Sequence, residues 1–115
     1  MNDKTKPLQP GTNLFFEGRA WIDKSAGNTY HSVRIWINGE IVEIVPLTYG
    51  YENAYQTSAV EALIKLGYLP QTLFQHSKDR PTRDFPLWQI DRHLEITTYS
   101  TLTYGKKSDL WKRGN

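Results

Sequence analysis

Few residues in this chain could do chemistry, and they are scattered. His31, His76 and His93 are the candidate imidazole ligands, and there is no cysteine to add a thiolate. Their spacings match no compact metal-ligand pattern, so they read as dispersed surface histidines. No metal or other cofactor is expected. For acid–base work, Asp91 and His93 lie two residues apart and would share one face of a strand that Glu95 continues. No nucleophile or oxyanion donor accompanies them, so no catalytic residue is assigned and the chain is expected not to be an enzyme. The run Thr48-Tyr49-Gly50-Tyr51-Glu52-Asn53 leads a strand into a helix, where free N–H groups attract anions. Its single glycine and the Glu52 carboxylate argue against phosphate. Asn53 is better placed as a helix N-cap, and the tyrosines as a packed corner.

Residues suited to binding are more numerous. Arg34 and Trp36 alternate on one side of a strand, as do Arg19 and Trp21. Tyr, Trp and Arg are typical anchors of protein contacts, so Arg34, Trp36, Tyr49 and Tyr51 are the candidate partner-binding residues. Aromatics beside cations also stack bases and neutralise phosphates. On that alternative reading the cations are Lys106, Lys107, Lys112 and Arg113. The competing structural reading is that Trp21 and Trp36 lie under a second layer formed by the C-terminal segment, since Trp88 and Trp111 also need a place to pack.

These residues need a scaffold, and the period of the apolar pattern supplies one. Residues 1–12, with Pro7 and Pro10, read as a flexible arm, and 13–115 as one domain. Residues 14–23 alternate as a strand, 23–28 carry turn chemistry, and 30–37 and 40–47 form two more strands. Asn38-Gly39 between them is a strong type I′ hairpin signal, because both central positions need positive φ. The turn sets Ile37 opposite Glu40, Trp36 opposite Ile41, Ile35 opposite Val42, Arg34 opposite Glu43 and Val33 opposite Ile44. One face then carries Val33, Ile35, Ile37, Val42 and Ile44 as core. The other carries Ser32, Arg34, Trp36, Ile41, Glu43 and Val45.

A helix is expected from Glu52 or Asn53 to about Leu66, with Tyr55, Ala59, Ala62, Leu63 and Leu66 on its apolar side. Gly67 and Pro70 end it. Residues 72–85 are irregular, with a charged loop at 78–84. Residues 94–103 alternate as a fourth strand. The sum is an α+β fold: an antiparallel sheet of about four strands in β-β-β-α-β order, with one main helix packed on one face.

Composition narrows the classes further. The 115 residues suit one modest core. The formal charge of +2 is too small to argue for nucleic acid by itself, but it is unevenly spread. Residues 78–115 hold eight Lys/Arg against five Asp/Glu, a net +3, whereas residues 1–77 hold six against seven, a net −1. No apolar run is long enough to span a bilayer, and the polar start lacks a signal-peptide core. The absence of cysteine fits a reducing compartment.

The middle of the chain resembles a recurring pattern in small phage and prophage reading frames. The pattern is carried by Asp23-Lys24, Gly27-Asn28-Thr29-Tyr30-His31-Ser32-Val33-Arg34, a Gly-containing hairpin, and Pro46-Leu47-Thr48-Tyr49-Gly50-Tyr51 followed by Tyr55. The similarity covers about 16–69. What it implies is context: an accessory factor in the cytoplasm of a bacterial host, acting on host defence or nucleic-acid-handling machinery. It implies no catalytic residue. The expected function is non-enzymatic binding of a host protein or nucleoprotein complex, with direct binding of nucleic acid or a nucleotide signal as the alternative. No membrane partner is expected, and the exposed sheet face allows a homodimer.

Overall fold

The Asn38-Gly39 turn organises the sheet. In the computed structural model, which describes residues 8–50, 54–69 and 94–112, both residues have positive φ, 49° and 87°. They join β2 (Asn28–Ile37) to β3 (Glu40–Tyr49). Strand β1 (Asn13–Asp23) pairs antiparallel with β2 along its whole length, and β4 (Thr97–Gly105) lies on the other side of β1. The order is β3-β2-β1-β4, with helix α1 (Ala54–Lys65) packed on one face.

The class is the expected α+β with one helix, but the sheet is mixed. β4 runs parallel to β1, not antiparallel. The reason is the connection. A parallel partner requires a long crossover, and the chain from β3 through α1 to β4 provides one. β4 also begins later than the alternation suggested, because Glu95 takes a left-handed φ of 60° and breaks the run. Residues 8–12 of the expected flexible arm are docked: Leu8 packs against the core, its N–H donates to Tyr68 O, and Thr12 is buried.

The core lies between the sheet and α1. Leu14, Phe16, Val33 and Ile35 meet Tyr55, Ala59, Val60 and Leu63, with Leu69 and Ile96 closing the ends. Burying each large aliphatic or aromatic side chain contributes about 1.5–3 kcal/mol. α1 ends in a Schellman motif: Tyr68 N–H reaches Leu63 O (2.8 Å), Gly67 N–H reaches Ile64 O (3.0 Å), and Gly67 carries φ 90°.

The expected register of β2 and β3 holds for only two pairs. Ile37 faces Glu40 and Trp36 faces Ile41, but Ile35 then faces Glu43, Arg34 faces Ile44 and Val33 faces Val45. Val42 is an extra residue, and a bulge flips the alternation beyond it. Val45 therefore packs on the helix side, while Ile44, expected in the core beside Val42, is buried on the opposite face. A second shift between Val45 and Thr48 falls at Pro46, which cannot donate to a ladder.

Gly18 of β1 sits beneath Tyr55 of α1. A Cβ there would meet Tyr55 Cδ2 at 2.7 Å and Leu102 Cδ1 at 3.0 Å. Gly18→Ala should therefore cost about 1–3 kcal/mol through overpacking, read as a lower urea midpoint with an unchanged m-value.

Candidate partner-binding surface

The sheet face away from α1 is partly covered by the C-terminal segment. After β4, a 3-10 turn at Lys107–Asp109 carries the chain back over β1 and β2. The Lys106 backbone N–H donates to Asp109 Oδ2 at 2.9 Å, which closes the turn, and Arg19 Nη1 donates to Asp109 O at 2.8 Å. Leu110 is buried and Trp111 is fastened at two points. Its backbone N–H donates to Ser32 Oγ (2.7 Å) and its indole N–H to Glu17 O (3.0 Å).

The Trp111 ring sits between two cations. The guanidinium carbons of Arg19 and Arg34 lie 3.6 and 3.5 Å from its centroid. Two atoms that close to one ring centre would collide on the same side, so they cover opposite faces. Arg34 is also paired with Glu17 Oε1 through Nη2 at 2.8 Å and Nε at 2.9 Å. Trp36 Nε1 donates to the same oxygen at 3.1 Å. Arg34 and Trp36, expected to meet a partner, both also make internal contacts: each bonds Glu17, and Arg34 stacks on Trp111 of the C-terminal segment. Trp36 also packs beside Phe15, ring centroids 6.5 Å apart.

Of the other expected contacts, Tyr49 is 61% exposed. Tyr51 and Arg113 lie outside the described residues, as do Asp91, His76, His93, Trp88 and the loop at 78–84. Glu95 is exposed. Tyr49 ends an aromatic row across three strands. Tyr30 meets it edge-on at 5.8 Å, and Trp21 stacks on Tyr30 at 5.5 Å. Lys107 Nζ lies 5.5 Å from the centre of the Trp21 ring.

Lys107 connects that row to a groove. Pro46 and Leu47 of β3 form one wall; Lys106, Lys107, Ser108, Leu110, Trp111 and Lys112 form the other, around about 600 Å³. Three of the four cations expected from the sequence therefore line one concavity. Leu47, which sequence reasoning did not single out, is 43% exposed there. Pro46 was the available signal, as a residue that disrupts a strand. Glu17 and Trp111 were missed as organising residues because their partners lie far away in sequence.

His31, read as a surface histidine, is instead only 2% exposed. Its Nδ1 lies 3.1 Å from Gly50 O and its Nε2 lies 2.7 Å from Ser58 Oγ. The carbonyl can only accept, so Nδ1 carries the proton and the Ser58 hydroxyl donates to Nε2. The ring thereby ties the corner after β3 to α1. Burial outweighs the Gly50 bond and lowers the His31 pKa below its ordinary value. Ser58 also borders a second concavity, lined by Thr48, Glu61 and Lys65 among others. Among the described residues, no group of three or more His, Asp or Glu is placed to hold a metal, and no helix is long and apolar enough to cross a membrane.

Neither a protein-family model, nor a curated protein, nor a solved structure matches this chain.

Trp111→Ala should lower stability by about 3 kcal/mol, since it removes a large packed side chain and two cation–π contacts. Trp111→Phe should retain part of this. Differential urea denaturation of the two variants checks it. The buried neutral His31 binds its proton less readily than in the unfolded chain, so its contribution is intact above pH 6.5. It falls away as pH drops below 6.5 toward the lowered native pKa. His31→Gln should flatten that slope while lowering stability at neutral pH, which denaturation midpoints measured from pH 5 to 8 will show.

Proposed function

We propose that this chain is a non-enzymatic accessory binding protein that acts by occupying the surface of another protein. The phage-type pattern in 23–55 suggests a host factor in a bacterial cytoplasm as the target, within defence or nucleic-acid-handling machinery. One observation carries the choice of surface: Lys106, Lys107 and Lys112 converge on a groove with Leu47 at its edge, next to exposed Tyr49. Arg34 serves this surface from beneath by stacking on Trp111, and Trp36 bonds the Glu17 carboxylate that holds Arg34.

Cations around an apolar depression complement an acidic protein surface. Such charges steer encounter and set specificity more than they add affinity. The row Trp21–Tyr30–Tyr49 supports direct nucleic-acid or nucleotide binding as a second reading, because aromatic rows flanked by lysine suit stacked bases. That reading is weakened by how the rings are used. Trp21 has Tyr30 stacked on it and Lys107 close by, and both faces of Trp111 are taken.

The test compares capture from bacterial lysate by the native chain, by a Lys106→Glu/Lys107→Glu/Lys112→Glu variant, and by Trp36→Phe, each with and without nuclease. The expected result is a protein captured in a nuclease-resistant manner, lost with the charge reversal and kept with Trp36→Phe. Nuclease-sensitive retention with a steep salt dependence would support the nucleic-acid reading instead.

A further inference from the structure

Resting on the reading of this chain as a protein-binding module, we infer that the groove between Pro46-Leu47 and the C-terminal segment receives an acidic segment of the partner that carries an apolar anchor side chain. Four features of the groove define that occupant. Its apolar surface comes from Pro46, Leu47, Leu110 and Trp111, which gives a dehydrated seat for a side chain. Among the described residues its charged lining is all lysine, Lys106, Lys107 and Lys112, so the electrostatic complement is a set of carboxylates.

The third feature is size. About 600 Å³ of open groove accommodates side chains from a short segment. The fourth is the state of the aromatic ring that borders it. Both faces of Trp111 are covered by Arg19 and Arg34, so the ring offers its edge and no platform for a base. An aliphatic or aromatic side chain can pack against such an edge. A stacked nucleobase needs an open face. The groove therefore fits a segment in which an apolar residue is flanked by Asp or Glu, with the carboxylates reaching the rim lysines.

The groove depends on the C-terminal segment staying seated. Lysine ammonium groups are mobile point charges on flexible stems, so the apolar wall and not the charge supplies geometric selectivity. Removing the anchor from the partner or closing its seat should then cost more than neutralising one carboxylate.

Three fluorescein-labelled synthetic peptides test this by anisotropy against the full chain: Gly-Glu-Glu-Leu-Leu-Glu-Glu-Gly, its Leu→Ser counterpart of equal charge, and its Glu→Gln counterpart of equal apolarity. The expected result is binding of the first peptide, with at least tenfold weaker binding of both others. Leu47→Glu and Lys107→Glu should each weaken the first peptide tenfold or more. Shifts in ¹⁵N spectra should map to the backbone amides of Lys107 and Ser108 and to the Trp111 indole N–H. Urea denaturation of both variants confirms that they stay folded. Equal binding of the acidic peptides with and without leucine would overturn the anchor. So would shifts confined to other surfaces, absence of binding by all three peptides, or a single-stranded oligonucleotide competing on Trp111. If Leu47→Glu leaves lysate capture of a protein partner intact, the groove assignment fails while the protein-binding function stands. If no protein is captured at all, that function fails.

Discussion

The non-helix face of this protein depends on one contact, the Trp111 indole held between Arg19 and Arg34. It joins residues far apart in the chain, and it works with buried Leu110 and the Arg19–Asp109 hydrogen bond to seat the C-terminal segment. Arginine suits the position because its planar guanidinium stacks on a ring while its edge nitrogens stay free for hydrogen bonds. Arg34 uses those nitrogens on Glu17, and Arg19 uses one on Asp109 O. A lysine in either place would keep the charge and lose the plane. Glu17 is the hub beneath. Its carboxylate accepts from Arg34 and Trp36 while its backbone carbonyl accepts from the Trp111 indole. The Arg34–Glu17 pair, with side chains about a quarter exposed, would add little as an isolated surface ion pair. Its value lies in orienting the guanidinium that the ring packs against.

Seating Trp111 has a consequence for recognition. It converts a mixed sheet face into a covered layer with a basic groove at its margin. Of the residues with the most anchor-like chemistry, Arg34 stacks on Trp111 and Trp36 bonds the Glu17 beneath it. Among the described residues, those exposed at that margin are plainer ones: three lysines, Leu47 and Tyr49. The β3 bulges contribute as well. The first puts Ile44 opposite Arg34, and the second accompanies Pro46 and Leu47 at the groove wall. Departures from a regular strand thus shape the surface that binding would use.

Much of the fold was legible in the sequence. Asn38-Gly39 located the hairpin and its first two pairs, and Gly67 located the end of α1, because each requires a backbone conformation that few residues adopt. The helix stripe at Tyr55, Ala59 and Leu63 followed from its period. Two features escaped. The Val42 bulge was invisible because β-branched residues fill both sides of β3, so either register buries something apolar. The parallel direction of β4 was invisible because alternation says nothing about strand polarity. For the surface, the late lysines were found by charge asymmetry alone. That Arg34 and Trp36 serve the fold could not be read locally, since Trp111 lies more than seventy residues away. His31 was misjudged for the same reason: its partners, Gly50 and Ser58, are brought to it only by the packed helix.

The most direct test is hydrogen exchange at Trp111, followed by NMR at both its backbone amide and its indole N–H. With Trp111 seated, both protons are held, one by Ser32 Oγ and the other by Glu17 O. Both should then exchange far more slowly than in an open chain, and Arg34→Lys should speed them together while leaving the amides of β1 and β2 protected. Exchange of both protons at open-chain rates in the native protein would contradict the account, because Trp111 forms part of the groove wall.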